Sequence, residues 1–277
     1  MKRMLVGLIG RNIMSSLAPA LHEDAFAGVG VVGHYHLMDV DVLANRTLEQ
    51  LLTAVRTAGF AGINVTFPFK EAVIPLLDSL SPEAAEIGAV NTVVFDKDGR
   101  ATGHNTDRSG FRAAFQEELG EARVRGKPVL LLGAGGAGRA AAFALRDLGA
   151  GEIRIHDQDA SRADALCADV GASAVVSSDS GGVAGLVNAT PVGMKGIPGM
   201  PIDPTVVQPG QFVADVIYTP IETAFLAAAR SRGAHGMGGA GMCVQQAADA
   251  FRLFTGLQAD RGRLQRTFEE AARRRGI

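Results

Sequence analysis

Short apolar runs alternate with amphipathic segments along nearly the whole chain. Runs such as Leu5–Ile9 predict buried strands, whereas segments such as Ala18–Gly28 carry apolar residues at helical spacing. This alternation is typical of an α/β protein with mainly parallel sheets. The predicted strands are Leu5–Ile9, Val31–Met38, Gly62–Thr66, Val90–Phe95, Ala101–His104, Val129–Leu132, Glu152–Asp157, Leu186–Ala189 and Phe212–Val216, with a hairpin signal at Asp98-Gly99. The predicted helices are Ala18–Gly28, Thr47–Ala58, Lys70–Leu80, Gly110–Leu119, Gly136–Leu148 and Ser161–Val170, followed by helical segments from Met242 through Phe254 and on through Arg274.

Composition excludes several classes of protein. The 277 residues fit one or two domains, and 47% hydrophobic residues supply an ample core. The formal net charge of -2 lacks the basic surplus of a nucleic-acid binder. The longest stretch without charged residues, Gly233–Ala248, is shorter than the ~20 apolar residues that span a bilayer, and the N-terminus lacks a signal-peptide pattern. We therefore expect a cytoplasmic protein that binds neither nucleic acid nor membrane.

The sequence predicts no metal site and no disulfide framework. Cys167 and Cys243 are the only cysteines, and Cys243 is interpreted as a buried residue without a chemical role. His34 and His36 alternate on one predicted strand and could begin a metal site, but no third ligand accompanies them, so an ordinary surface strand is favoured. Arg273–Arg275 is interpreted as a set of cations that match the dipole at a helix C-terminus.

A glycine-rich turn lies between a predicted strand and a predicted helix. The motif G-x-G-x-x-G there allows a tight turn, close approach of backbone N–H groups to a pyrophosphate, and packing of helix on strand. The N-terminus of the following helix favours phosphates. A turn of this kind without a ligand is the alternative. The residues of the motif predicted to bind a dinucleotide are Gly133, Ala134, Gly135, Gly136 and Ala137.

Asp157 ends the next predicted strand, where an acidic residue commonly holds a ribose diol. A carboxylate there repels a 2′-phosphate, so the charge favours NAD over NADP. Arg162, at the start of the following helix, is the one nearby cation in the sequence. The alternative is that Asp157 only caps a turn.

Polar clusters follow several apolar runs before Gly110, where open α/β sheets bind their ligands. They are Ser15–Pro19, Asn64–Glu71, Gly88–Thr92 and Gly103–Asp107. Lys70, one of only five lysines, opens the helix predicted from that position, and a cation there conflicts with the helix dipole. Such local conflicts concentrate at functional sites. A surface lysine at position 70, and a helix-capping role for Asp107, are the alternatives.

Eight ordered segments resemble the shikimate/quinate dehydrogenase family over nearly the whole length. They are GLIG…SLAPALH, GINVTFPFKEA, IGAVNTVV, GHNTDRSGF, LLLGAGGAGRA, NATPVGM, DVIYTP and MCVQQAADAFRLFTG. The resemblance implies an α/β substrate domain formed by residues 1–106 with the C-terminal helices of residues 242–277. It also implies a Rossmann NAD-binding domain inserted at residues 107–241.

The resemblance also implies hydride transfer between nicotinamide C4 and C3 of shikimate or quinate. Lys70 matches the family's catalytic lysine and Asp107 its partner aspartate, which also contacts substrate. A lysine beside a carboxylate can relay the hydroxyl proton while hydride leaves. The other matches to substrate-contacting positions are Thr66, Asn91, Tyr218 and Gln246, and the cofactor-side matches are Val216, Gly239 and the segment from Asn188 to Met194, which includes Thr190.

The sequence departs from the family where the substrate carboxylate is expected. Members often carry two hydroxyl residues in an S-x-S-P type motif, whereas this chain reads Ser16-Leu17-Ala18-Pro19. Ser16 remains, but the second hydroxyl is missing, and Ser15 points the opposite way in an extended chain. One lost hydrogen bond to a carboxylate costs ~1.5–3 kcal/mol. Shikimate, quinate and a substituted ring all stay open as substrates.

A second departure concerns the cofactor. Biosynthetic members usually have an Asn-Arg-Thr/Ser turn that takes a 2′-phosphate, and here that turn aligns with Asp157-Gln158-Asp159. The chain therefore resembles the NAD-using quinate/shikimate branch, which is often catabolic. We expect a small cyclic hydroxy acid as ligand and a monomer or homodimer.

Two rival interpretations stay open. Ala18 suggests a paralogue that acts on an amino- or otherwise substituted shikimate. A non-catalytic NAD-binding regulator on the same fold is the other rival, and the intact Lys70, Asn91, Asp107 and Gln246 disfavour it.

Overall fold

The computed structural model describes residues 3–176 and 180–276. Contacts divide the chain into two compact units. The first unit comprises the chain up to Thr106 together with Gln246–Gly276, and the second comprises Asp107–Gln245. The second division falls inside one continuous helix, Gly239–Thr255, whereas the motifs place it between residues 241 and 242.

Strands and helices alternate along the chain. The strands are β1 Arg3–Gly10, β2 Val32–Asp39, β3 Gly62–Val65, β4 Ser79–Leu80, β5 Thr92–Phe95, β6 Ala101–His104, β7 Val129–Leu132, β8 Ile153–His156, β9 Ser173–Ala174, β10 Gly185–Asn188, β11 Phe212–Asp215 and β12 His235–Met237. The helices are α1 Ala18–Gly28, α2 Leu48–Thr57, α3 Pro82–Ile87, α4 Asp107–Glu118, α5 Gly136–Asp147, α6 Ala160–Val170, α7 Ala224–Ser231, α8 Gly239–Thr255 and α9 Arg261–Arg275.

The first unit is built on a mixed sheet with the strand order β2-β1-β3-β5-β6-β4. β1 is parallel to β2 and β3, whereas β5 is antiparallel to both β3 and β6. Its core contains Ile9, Ile63 and Val93, all fully buried. Helix α9 is tied to α1 because the Arg263 guanidinium donates to both carboxylate oxygens of Asp24, at 2.8 and 2.7 Å. The C-terminal segment therefore completes the first unit.

The described strands of the second unit form a parallel sheet with the order β12-β11-β10-β7-β8-β9. Counted within this unit, that order is 6-5-4-1-2-3, which is the doubly wound order of nucleotide-binding folds. The order reverses between β7 and β10, and ligands of such sheets bind outside the carboxyl ends of the strands at this reversal. The predicted α/β class is confirmed.

The helix predicted over Lys70–Leu80 is wrong. That segment forms turns, a short 3-10 turn at Ile74–Leu76 and then β4. Pro75 lacks an amide hydrogen, and its ring disfavours continuation of a helix through this point. Lys70 therefore does not open an α-helix, and the conflict with a helix dipole inferred from the sequence does not exist.

Several elements lie where the pattern predicts none. Helix α3 begins after Ser81, whose Oγ accepts from Ala84 N over 3.2 Å, and ends at Gly88 in the left-handed region with a φ of +68°. Helix α7 begins after Thr223, whose side chain caps Leu226 N. These helices are too short for their periodicity to be recognised. Among the described residues, no helix is both long and apolar enough to cross a bilayer.

Candidate active site

Segments of the first unit meet at one edge of its sheet. β1 and β3 are parallel, so their carboxyl ends at Gly10 and Val65 lie at the same edge. β5 is antiparallel to β3, so it begins at this edge with Thr92, and β6 ends there at His104. The loops that leave or enter the sheet here carry four of the predicted residues, Ser16, Thr66, Lys70 and Asn91.

The turn from Thr66 to Lys70 is fixed by backbone hydrogen bonds at both ends. Thr66 N donates to Ile9 O over 3.0 Å, and Phe69 N donates to Thr66 O over 2.8 Å. Val90 N donates to the Lys70 carbonyl over 2.8 Å. The half-buried Lys70 is therefore held beside the segment that leads into β5.

Asn91 is the most constrained of these side chains. It is only 4% exposed, and its Oδ1 accepts from Thr106 N over 2.8 Å and from Thr92 Oγ1 over 2.9 Å. Its Nδ2 donates to Thr106 Oγ1 over 2.9 Å. Asn91 thus joins the start of β5 to the loop after β6, which ends at Thr106.

Asp107 is buried and is the first residue of α4 in the second unit. Its carboxylate lies in the first helical turn, which the helix dipole favours. Tyr218 follows β11 in the second unit, and Gln246 lies on α8 in the first, both half-buried. The substrate roles of these three residues stay predictions.

The loop that carries Ser16 is anchored by Asp39, which the sequence pattern does not single out. Asp39 is 3% exposed, and its carboxylate accepts from the backbone amides of Asn12 and Ile13 over 3.1 and 2.7 Å. The available signal was a carboxylate at the end of a strand, next to the apolar pair Leu37-Met38, because buried charges in proteins are hydrogen-bonded.

Ser16 is itself buried, and its Oγ accepts from Ala18 N over 3.2 Å. That leaves the Ser16 O–H as a donor, while the side chain of Ala18 offers only a methyl group. The last turn of α9 reaches the same loop, because Arg275 Nη1 donates to the carbonyl oxygens of Ser15 and Ser16 over 2.7 and 2.9 Å. One of the three C-terminal arginines therefore has a structural contact as well as a favourable dipole position.

In the second unit, the glycine turn follows β7 where the strand order reverses. Gly133 has a φ of +99°, and a Cβ there would lie 2.9 Å from the carbonyl carbon of Ala189. A Cβ on Gly138 would lie 2.0 Å from Gly133 O. Both positions therefore require glycine for packing within the protein. Gly135 differs, because a Cβ there would meet no atom within 4 Å and would point into open space.

This turn fits the diphosphate of a dinucleotide. Helix α5 begins at Gly136, and its N-cap residue, Gly135, supplies no side-chain hydrogen bond to the first turn. N–H groups at an uncapped helix start attract anions, and the helix dipole adds to this attraction. The open space over Gly135 admits a group that a side chain would exclude. Ala134 and Ala137 complete the turn and the start of the helix.

Asp157 directly follows β8 and lies against the glycine turn. Its Oδ2 accepts from Ala134 N over 2.6 Å, and its Oδ1 accepts from Asp159 N over 2.9 Å. A carboxylate at the end of the second strand of this fold suits a ribose diol. Arg162 is exposed on α6 and pairs with Asp159, with Nε 3.8 Å from Oδ2. The positive charge of Arg162 is therefore partly offset by Asp159.

Hydrogen bonds and close backbone contacts connect the other three residues that were predicted on the cofactor side. They are Thr190, Val216 and Gly239. Thr190 Oγ1 donates to Asn188 Oδ1 over 2.7 Å, and Val216 N donates to Asn188 O over 3.0 Å. A Cβ on Gly239 would lie 2.3 Å from Val216 O, so glycine permits the start of α8 to approach β11. The structure therefore brings these three residues together within the second unit.

Asp215 supports this group and is a second residue that the sequence pattern does not single out. Its carboxylate is fully buried and accepts from Asn188 Nδ2, Ile217 N and Thr223 Oγ1 over 3.1, 3.0 and 2.8 Å. Burial raises the pKa of Asp215, and the three hydrogen bonds oppose that shift. Asp215 thereby links the loops that follow β10 and β11.

Among the described residues, no group of three or more His, Cys, Asp or Glu side chains could hold a metal ion. The rings of His34 and His36 lie 6.1 Å apart on the exposed edge strand β2, and His34 Nδ1 lies 2.8 Å from Glu23 Oε1. Cys167 and Cys243 are buried and form no disulfide.

Comparison with known proteins finds similarity along the whole chain. Residues 8–93 match the family profile described as the shikimate dehydrogenase substrate binding domain. The chain is 43% identical to a quinate/shikimate dehydrogenase (NAD(+)) of Corynebacterium efficiens, over 96% of this chain and 97% of that protein. It is 46% identical to a shikimate dehydrogenase (NADP(+)) of Streptomyces avermitilis, over 97% of this chain and 96% of that protein.

A solved structure shows the same likeness. Quinate dehydrogenase from Corynebacterium glutamicum in complex with NAD superposes with a TM-score of 0.88 at 41% identity, covering 98% of this chain and 100% of that chain. The relatives differ in the cofactor that they are named for, NAD(+) in Corynebacterium efficiens and NADP(+) in Streptomyces avermitilis.

Proposed function

Because the chain belongs to the shikimate/quinate dehydrogenase family, we propose that it uses NAD to oxidise the C3 hydroxyl of shikimate, quinate or both, and catalyses the reverse reduction. The observation that carries the proposal is the convergence of Ser16, Thr66, Lys70 and Asn91 at one sheet edge in a chain that also holds a dinucleotide turn. We assign the first unit to substrate binding and the second to dinucleotide binding.

The chemistry requires removal of a hydride from carbon and of a proton from oxygen. Bound NAD supplies the hydride acceptor. We assign Lys70, as the neutral amine, to accept the hydroxyl proton, which leaves a ketone and an ammonium group. We assign the Asp107 carboxylate to hold the substrate hydroxyl. General acid–base groups of this kind contribute roughly 10²–10⁴-fold to the rate.

The remaining predicted residues supply binding and orientation. Thr66, Asn91, Tyr218 and Gln246 offer hydrogen bonds to the ring hydroxyls. Ser16 offers its O–H to the substrate carboxylate, since its oxygen already accepts from Ala18 N. Orientation of the reacting groups accounts for a large part of enzymatic rate enhancement, so these contacts serve catalysis as well as affinity.

NAD is proposed over NADP on account of Asp157. Its carboxylate lies beside the glycine turn, and a 2′-phosphate placed there would meet like charge. The nearby Arg162 is paired with Asp159 and is a weaker phosphate partner than the arginine of the family's NADP-binding turn. We assign the remaining cofactor-side residues to the surroundings of the bound dinucleotide. They are Gly133, Gly135, Gly136, Thr190, Val216 and Gly239.

A substituted shikimate is a second candidate substrate, and Ala18 is the observation that favours it. A hydroxyl at this position would give the substrate carboxylate a second donor, whereas the methyl group gives none. A ring with an added polar substituent could recover the lost binding energy elsewhere in the site. The two candidates differ in substrate only and share the proposed chemistry.

The test is a substrate panel with the purified protein. Shikimate, quinate and an amino-substituted shikimate are each combined with NAD and with NADP, and the absorbance of the reduced cofactor is followed. We expect turnover with NAD of at least one of these acids. No turnover of any cyclic hydroxy acid would refute the enzyme proposal, and NAD binding without turnover would favour the non-catalytic regulator instead.

A further inference from the structure

A chain of buried hydrogen bonds crosses the first unit and ends at Asn91. Tyr35 Oη donates to Asn64 Oδ1 over 2.8 Å, and Asn64 Nδ2 donates to Thr92 Oγ1 over 2.9 Å. Thr92 Oγ1 donates to Asn91 Oδ1 over 2.9 Å. Asn64 Nδ2 also lies 3.2 Å from the Asn91 carbonyl oxygen. None of these four side chains belongs to a residue more than 7% exposed.

The backbone N–H at the end of this series of hydrogen bonds determines which atom donates in each of them, because an N–H can only donate. Thr106 N can only donate, and it lies 2.8 Å from the Asn91 amide, so the oxygen of that amide must face it. The same oxygen accepts from Thr92 Oγ1, which therefore takes its own hydrogen bond from Asn64 Nδ2. Asn91 Nδ2 donates one of its two hydrogens to Thr106 Oγ1. The other N–H of Asn91 Nδ2 has no acceptor among the described residues.

Packing sets the position of the first donor. The Tyr35 ring stacks on His22 with ring centroids 4.6 Å apart and 23° between the planes. His22 is buried on α1, and burial lowers its pKa to about 3, so the stacked ring is neutral at physiological pH. Its Nδ1 has no hydrogen-bond partner among the described residues. The contact of His22 with Tyr35 is therefore one between stacked ring faces and not a hydrogen bond through Nδ1.

The arrangement is costly for a purely structural element. Buried polar groups are tolerated only when they are fully paired, and apolar side chains would fill the same volume at a lower desolvation cost. Each hydrogen bond in a series also polarises the next, so the three donors on the Asn91 oxygen make its remaining N–H a stronger donor. The series of hydrogen bonds thus orients the remaining N–H of Asn91 and makes it a stronger donor, at the sheet edge that carries Lys70.

We propose that Thr92, Asn64 and Tyr35 are positioning residues that act through Asn91 on the substrate. They hold the Asn91 amide so that its remaining N–H donates to a ring hydroxyl of the cyclic acid. This inference rests on the proposed function, since it takes Asn91 as a substrate contact.

The test compares Thr92→Val, which removes the hydroxyl at constant shape, with Thr92→Ser, which keeps it. We expect Thr92→Val to raise the KM for the cyclic acid roughly tenfold, the effect of about one buried hydrogen bond, with the KM for NAD unchanged. Thr92→Ser restores the KM to within roughly threefold of the unaltered protein. Thr102→Val is the matched control, because it removes a strand hydroxyl of the same sheet that bonds Ser79 Oγ at 2.9 Å.

A double-mutant cycle separates positioning from folding. If Thr92 acts through Asn91, then adding Thr92→Val to an Asn91→Ala protein leaves kcat/KM unchanged. An equal loss in both backgrounds would overturn the inference, and so would a Thr92→Val protein with an unaltered KM. Should Thr92→Val fail to fold, Tyr35→Phe takes its place and has to raise the same KM selectively. If the unaltered protein turns over no cyclic acid, the proposed function fails first, and this inference with it.

Discussion

The carboxylate of Asp157 accepts a hydrogen bond from the backbone amide of Ala134, with Oδ2 2.6 Å from the nitrogen. This bond connects the end of β8 to the glycine turn after β7. The side chain to which we assign discrimination against a 2′-phosphate therefore also braces the turn that fits a diphosphate. We propose that cofactor choice and turn geometry are coupled through this one residue.

This coupling makes Asp157→Asn the informative change for cofactor preference. An amide oxygen can still accept from Ala134 N, so the turn is retained while the negative charge is removed. We expect the ratio of kcat/KM for NAD to that for NADP to fall at least about tenfold, which equals roughly 1.4 kcal/mol. Initial rates with both cofactors measure it. Asp164→Asn, on the exposed face of α6, is the charge-matched control, and an unchanged ratio in Asp157→Asn would contradict the role assigned to Asp157.

Two glycines of the turn are expected to respond differently to alanine. Gly135→Ala places a methyl group in open space, so we expect normal thermal stability but weaker NAD binding, since the methyl group occupies the diphosphate position. Gly133→Ala forces a Cβ to 2.9 Å from backbone at a φ of +99°, so we expect a loss of stability of about 1–3 kcal/mol.

Calorimetric titration with NAD and thermal unfolding distinguish the two glycine variants. Equal NAD affinity in Gly135→Ala and the unaltered protein would show that the space above residue 135 is not used by the cofactor.

Lys70→Ala is expected to lower kcat at least about 100-fold while leaving the fold and NAD binding intact, because it removes the proposed proton acceptor. Steady-state rates and NADH fluorescence titration check both parts. Lys97→Ala is the matched control, since Lys97 is exposed in the turn of the β5–β6 hairpin. A kcat for Lys70→Ala equal to that of the control would remove Lys70 from the chemistry.

The burial of His22 predicts that the first unit loses stability in acid. Its pKa is lowered from 6.5 to about 3 in the folded protein, so below pH 6.5 the unfolded chain takes up a proton that the folded chain refuses. Stability is therefore lost as pH falls from 6.5 towards 3, by roughly 2 kcal/mol at pH 5. We expect His22→Phe to remove this part of the loss.

Urea unfolding at pH 7 and pH 5, followed by circular dichroism, measures the difference. His36→Gln, an exposed histidine on β2, serves as the control and is expected to behave like the unaltered protein. An identical pH dependence in His22→Phe would mean that His22 is protonated in the folded state.

The alternation of strands and helices was predictable because each element leaves a local periodic trace. β7 runs over Val129–Leu132 and α1 over Ala18–Gly28, as the pattern predicts. The prediction failed at Lys70–Leu80, where apolar residues at near-helical spacing belong to turns around Pro75. The spacing of apolar residues alone cannot distinguish such turns from a helix. Proline provides the distinction, because it lacks the amide hydrogen that a helix interior requires.

The candidate site was predictable only in part. Lys70 and Asp157 follow apolar runs, and their chemical character marks them in the sequence. Asp39 and Asp215 also lie at strand ends, but their importance lies in hydrogen bonds from distant segments, from Ile13 N to Asp39 and from Asn188 Nδ2 to Asp215. Their roles become visible only when those segments are brought together.

The sequence by itself determined the α/β class, the family and the residue types available for proton transfer, dinucleotide binding and cofactor choice. These follow from local periodicity and from the order of short motifs, both of which are properties of neighbouring residues. Tertiary structure alone decided that Asp157 braces Ala134 and that Tyr35 is linked through Asn64 and Thr92 to Asn91. Such relationships depend on sheet order and register, which arise from pairing between residues far apart in the chain.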